Sequence, residues 1–257
     1  MVSTALLQAH GVLPCFEEPQ DVSSASGIDL ALMPASITAV MGENPSQVST
    51  WLRCLAGLED PCAGQVRVAG HNLSRLSKAD WQRMRTRIAY LNRDSSLLSV
   101  LSMLDNIVQP ALYHKLAERD ELVARARALL DEIGPLDPAL LQQLPAYLDP
   151  RSYAQALLAR ALLLQPQILI LDDFFGHYDK NTSAALLQYV FGKVEQQGMA
   201  ALVYDHDMEL LTNKCSASLF IDGHRLLQFT SREALLAAAD PQVNAFLRNH
   251  DVAAYGR

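Results

Sequence analysis

The sequence predicts an α/β fold: a mostly parallel sheet that carries a helical insert. Short apolar runs, IDLAL, ITAVM, QVRVAG, IAYLN, ILILDD, ALVYD and SLFIDG, alternate with helical patterns. Several of these runs are apolar almost throughout, as strands covered on both faces must be. Strand and helix in strict alternation is how a parallel sheet is built. Between Asn92 and Ile168 no run reads as a strand; Leu, Ala and helix-forming charges dominate there and predict the insert. Near the end, Ser231 before REALLAAA and Asp240-Pro241 before QVNAFL read as capped helix starts.

A chain of 257 residues that is 50% hydrophobic is long and apolar enough for a packed core. A net charge of −7 without a Lys/Arg-rich run argues against a nucleic-acid partner, because nothing would neutralise phosphates along a strand. The four cysteines, Cys15, Cys54, Cys62 and Cys215, form no Cys-x-x-Cys pair, so the sequence suggests neither a zinc set nor a disulfide framework, and a reducing cytosol is the simplest reading. The opening residues lack the features of a signal peptide. The richest apolar stretch, ALLARALLLQPQILIL, is broken by Arg160, Gln165, Pro166 and Gln167, so no membrane span is expected and any membrane role passes through a partner.

The segment ITAVM-GENPSQVST-WLRCLAGL places strand, loop and amphipathic helix in the order that sets a loop and helix start against a nucleotide's phosphates. By itself it reads as well as an ordinary strand-to-helix turn. It resembles the Walker A loop of ABC ATPases, with Gly42, Asn44, Ser46, Ser49 and Thr50 matching. Pro45 and Gln47 stand where that pattern has glycines, and Val48 stands in place of its lysine. Pro45 offers no N–H, Gln47 resists angles open to glycine, Val48 removes a cation and Glu43 adds a negative charge. With each charge-assisted hydrogen bond worth about 1.5–3 kcal/mol, these losses weaken ATP binding by roughly two to four powers of ten.

The downstream resemblance runs in the same order. IAYLNRDSSLLSVLSMLDNI resembles the family's Q-loop, with Arg93 replacing the glutamine; arginine cannot ligate a cation or accept from water, but can touch a phosphate or pair with a partner's coupling helix. YLDPRSYAQALLARALLLQPQILILDDFFGHYD resembles the run from signature to D-loop. Its signature has become Leu148, Asp149, Pro150, Arg151 and Ser152: Asp149 would repel a γ-phosphate, Pro150 donates nothing, and Arg151 is the one compensating cation. Asp172 fits the Walker B carboxylate and, with Ser49, would hold Mg2+. Asp173 replaces the catalytic glutamate one methylene shorter, Asp179 fits the D-loop aspartate, and His206 fits the switch histidine. Phe16 stands about where the family stacks adenine.

The resemblance therefore implies an ABC-type (RecA-like) P-loop NTPase fold with an antiparallel N-terminal β region. Residues 1–92 and 166–230 would form the catalytic-core lobe, 93–165 the helical signature subdomain, and 231–257 a helical tail. The tail RLLQFTSREALLAAADPQVNAFLRN, through Asp240, Pro241, Val243, Phe246 and Leu247, is similar to the ATPase subunits of Mla-type (MCE) phospholipid transporters, as is SVLSMLDNIVQPAL; a generic amphipathic helix packed on the core is the plainer alternative. ATP and Mg2+ are the implied cofactors. Implied partners are integral-membrane permease subunits, a second ABC ATPase subunit, a small regulatory subunit and an MCE lipid-binding protein, at the cytoplasmic face of the inner membrane. Three functions stay open on the sequence: a transporter subunit with weak or lost hydrolysis, an active ATPase in which Arg93 or Arg151 replaces the lysine and Asp173 is the base, and a soluble interaction module.

Overall fold

A computed structural model of the chain describes residues 4–16, 27–205 and 208–250. Its larger sheet has six strands in the order β10-β9-β3-β8-β7-β6. These are β3 (Ser36–Met41), β6 (Ile88–Asn92), β7 (Ile168–Asp172), β8 (Ala200–Tyr204), β9 (Ala217–Asp222) and β10 (Arg225–Phe229). All neighbours run parallel except β10, which returns antiparallel on β9. The smaller sheet is antiparallel in the order β2-β1-β4-β5, from β1 (Leu7–Leu13), β2 (Ile28–Leu32), β4 (Ala63–Val68) and β5 (His71–Asn72).

β7 and β8 are buried along their whole length, which explains their unbroken apolar sequences. The strand period still sorts their side chains. Ile168, Ile170, Ala200 and Leu202 face a cluster shared with the antiparallel sheet and helix α1 (Pro45–Leu55). Leu169, Leu171, Ala201 and Val203 face a second cluster built with the helices of the insert and the tail.

Between β6 and β7 lie α3 (Met103–Tyr113), α4 (Arg119–Ile133) and α5 (Pro150–Leu162), which pack on one another, and no strand interrupts them. The segment that follows β6 is tied to these helices. Buried Asn106 of α3 accepts from Leu98 N–H and donates to the Leu98 and Leu101 carbonyls, Tyr153 Oη of α5 accepts from Leu97 N–H at 2.9 Å, and Arg160 donates to Ser96 O at 2.8 Å. Helix α2 (Lys78–Met84) precedes β6, α6 (Lys180–Gln197) joins β7 to β8, and α7 (Met208–Lys214) joins β8 to β9. Helices α8 (Arg232–Leu236) and α9 (Pro241–Asn249) start at the Ser231 and Asp240 caps expected from the sequence. Among the described residues no helix is long and apolar enough to cross a membrane.

Three strands escape the sequence reading. β1, the centre of the antiparallel sheet, has its alternation interrupted at Gly11 (φ 57°), where the register shifts on both neighbours. β5 is only two residues long. β10, in the stretch read as following the last strand, is the second arm of a hairpin that turns through Gly223 (φ 58°). The cysteines also need correcting. Cys15 and Cys62, 47 residues apart, form a disulfide with their Cα atoms 5.2 Å apart, because antiparallel pairing sets Leu13 opposite Ala63. Cys54 and Cys215 are free.

Candidate functional site: the phosphate loop and its surroundings

Gly42 closes β3 and Asp172 closes β7, with β8 between them, so both stand at the carboxyl edge of the parallel sheet where α/β proteins bind ligands. A Cβ on Gly42 would meet Val48 Cγ2 and the Ile221 carbonyl oxygen, each at 2.7 Å, so only glycine fits. The helix then begins earlier than a phosphate loop allows. Asn44 is the N-cap of α1, and its Oδ1 accepts from Ser46 N–H at 3.0 Å and Gln47 N–H at 3.3 Å. Pro45 has no N–H, and Val48 N–H donates to Asn44 O at 3.1 Å. Every amide from 45 to 48 is therefore absent or engaged within the turn.

The side chains of this turn face inward or along the helix. Val48 is fully buried in the core beside Gly42, so it lines no ligand surface, contrary to its expected place in a binding loop. Gln47 Oε1 accepts from Gly223 N–H at 2.9 Å, and Thr50 donates to Ser46 O at 2.9 Å. Ser49 donates to Asp172 Oδ1 at 2.9 Å. Tyr90, on β6, donates to the other carboxylate oxygen. Asp172 is 3% exposed, and burial raises its pKa above the usual carboxylate range against the opposing pull of Tyr90 and Ser49. The same burial and the neighbouring carboxylate push the Tyr90 hydroxyl far up. The sequence reading missed Tyr90; its only signal is its place on the half-buried face of a strand.

Arg93 and Asp173 meet each other. Arg93 Nη2 lies 2.7 Å from Asp173 Oδ2, so the residue in the glutamine position pairs with the residue in the general-base position. The cation expected to reach a phosphate or a coupling helix is thus committed inside its own chain. Asp173 has φ 52°, its N–H donates to Tyr204 O, and a Cβ on Gly176 would collide with its carboxylate at 2.1 Å.

The signature position repeats the design of the first loop. Asp149 is the N-cap of α5, with Pro150 at its first turn; its carboxylate accepts from Ser152 N–H at 3.0 Å and Ser152 Oγ at 2.5 Å. The hydrogen bond from Ser152 holds its pKa below the usual range. Arg151, exposed, turns away toward the end of α4: its Nη2 is 3.2 Å from where a Cβ on Gly134 would stand. Asp179 caps α6 through Asn181 and Thr182 N–H. The Phe16 ring lies against His224, with centroids 4.6 Å apart. Residue 206 lies outside the described residues.

A family ATP would need free amides and a lysine around its phosphates, and Mg2+ would need an available hydroxyl and carboxylate. The donor set around Gly42 does not match that need: its amides serve Asn44, its lysine position is core, and Ser49 and Asp172 serve each other.

A strand–loop–helix at Gly42 and an acidic strand end at Asp172, on a parallel sheet with a helical insert, define the class of P-loop nucleotide-binding domains. The chain belongs to the ABC transporter family, whose profile matches residues 25–176. It is 30% identical over 211 residues to the lipoprotein-releasing system ATP-binding protein LolD of Chromohalobacter salexigens, covering 81% of this chain and 88% of that protein. It is also 30% identical to the methionine import ATP-binding protein MetN of Mesorhizobium japonicum, of which it spans 63%. Its fold matches that of cbiO1 from Clostridium perfringens, part of the ABC transporter complex cbiONQ, with a TM-score of 0.77 at 18% identity, covering 98% of this chain and 99% of that one. ATPase domains of this family bind ATP and Mg2+ and act as dimers with integral-membrane permease subunits.

Proposed function

We propose that this chain is the nucleotide-binding-domain subunit of an ABC transporter in which ATP binding and hydrolysis are weak or lost, and that it serves a permease chiefly as a docking and assembly subunit. The carrying observation is the shared fate of two helix starts. In the family's dimer, Walker A of one subunit and the signature of the other close on the same phosphates. Here both begin Asx-Pro, and in both the capping side chain takes amides that a phosphate would need. The Arg93–Asp173 ion pair adds to this by occupying the carboxylate that would activate water.

The finer reading, lipid transport of the MCE type, rests on the likeness of the C-terminal tail. Val243, Phe246 and Leu247 are buried in the core and Asp240 caps α9, so packing alone accounts for those residues, and the reading stands on the sequence likeness. A permease, a second ATPase subunit, a small regulatory subunit and an MCE lipid-binding protein are the partners it names.

Titration calorimetry with ATP, with and without Mg2+, tests the central claim. No saturable binding in the phosphate loop at millimolar ATP is expected. Micromolar affinity that Ser49→Ala or Asp172→Ala abolishes would overturn it, as would ATP turnover by the purified transporter that disappears in Asp173→Asn.

A further inference from the structure

The chain is acidic overall, yet one cavity is lined by arginines. Its volume is about 650 Å³, within the range of small-molecule sites, and Arg67, Arg75, Arg83, Arg87 and His71 surround it. They come from four neighbouring pieces: the β4–β5 hairpin supplies Arg67 and His71, the 3-10 turn Leu73–Arg75 supplies Arg75, α2 supplies Arg83, and the link into β6 supplies Arg87. The hairpin turn at Ala69 and Gly70, both at positive φ, returns the chain so that His71 and Asn72 pair with Val68 and Arg67.

The acid lining this cavity is Asp80, and it is already engaged: it pairs with Arg83 and accepts from Ser77 Oγ. Among the described residues, the Arg87 side chain reaches only the neutral Gln167, at 3.3 Å. The side chains of Arg67 and Arg75 make no hydrogen bond or ion pair with any described residue. Guanidinium groups held together repel one another, and their forked donors match phosphate oxygens in pairs. The cavity shares no residue with the phosphate loop, the Asp172–Asp173 pair or the signature position.

We infer that this cavity binds a phosphoanion, either a free phosphorylated small molecule or the headgroup of an anionic phospholipid. The two sources share one chemistry, phosphate oxygens held by Arg67 and Arg75 from one side and Arg83 and Arg87 from the other.

The test uses the full chain and three variants: Arg67→Ala, the double Arg67→Ala/Arg75→Ala, and Ser49→Ala in the phosphate loop. Both arginine-cavity positions changed are exposed, and thermal melting checks that each variant folds. Calorimetry with inorganic pyrophosphate at low salt is paired with flotation on phosphatidylcholine vesicles with and without phosphatidylglycerol. Binding of pyrophosphate that weakens roughly tenfold or more in the double variant, weakens with added salt and survives Ser49→Ala supports a free phosphoanion. Flotation only with phosphatidylglycerol, lost in the double variant, supports the headgroup. No response to either probe at millimolar concentration, binding unchanged in the double variant, or binding abolished by Ser49→Ala overturns the proposal.

Discussion

The fate of single side chains decides whether restoring a family residue restores its chemistry. Val48 shows why it need not. Returning the missing lysine as Val48→Lys puts a long charged chain into a fully buried position against Gly42 and Ile221. We expect a loss of about 2–4 kcal/mol of stability by urea denaturation and no gain in ATP binding by calorimetry. The Arg93–Asp173 pair predicts a smaller effect. Arg93 is half exposed, so a double-mutant cycle of Arg93→Ala and Asp173→Asn is expected to give a coupling below about 1 kcal/mol. A coupling of several kcal/mol would mean that the pair is sealed from solvent rather than open on one side.

Helix starts matter more than any one residue, because α1 and α5 use the same Asx-Pro cap with different side-chain chemistry. Removing either cap, as Asn44→Ala or Asp149→Ala, should cost about 0.5–2 kcal/mol at neutral pH. Acid separates the two. Asp149 titrates below its unfolded value, so its contribution is complete above the ordinary carboxylate range near pH 4 and is lost as pH falls through the folded pKa. Asn44 does not titrate. Urea midpoints from pH 7 to pH 3 should therefore show the deficit of Asp149→Ala shrinking while that of Asn44→Ala persists. Asp172 acts in the opposite direction: burial raises its pKa, so protonation favours the folded state and that gain is lost as pH rises through the folded pKa. The wild-type profile is expected to improve on mild acidification before the caps titrate.

Across the molecule, the disulfide joins the end of β1 to the start of β4. Alkylation in denaturant without reductant, read by mass spectrometry, should label Cys54 and Cys215 alone; labels on all four cysteines would show the bridge unformed. Closing a loop of that separation stabilises by at most about 4 kcal/mol, so reductant should lower the melting temperature by several degrees. The bridge also anchors the backbone just before Phe16, whose ring rests on His224. The sheet that presents Gly42 and Asp172 is intact, while groups that would meet phosphate are engaged within the chain: Asn44 with two amides, Ser49 with Asp172 and Arg93 with Asp173. A scaffold of this kind can dock and assemble without performing chemistry.

How far each feature could be read in advance follows from the range of the interactions behind it. Seven strands, the helical insert and the capped starts of the tail were legible because periodicity and capping are local properties of the chain. The losses at Pro45, Val48 and Asp149 were legible for the same reason, since a missing N–H or cation belongs to the residue itself. The partners were not. That Asn44 takes the Ser46 and Gln47 amides, that Tyr90 meets Asp172 across neighbouring strands, and that Arg93 closes on Asp173 depend on where distant segments are brought together. The same holds for the arginine cavity and for Cys15 beside Cys62. Sequence determined which groups were present or missing; tertiary packing decided which of the remaining ones are already spoken for, because that is set by contacts the chain makes far from home.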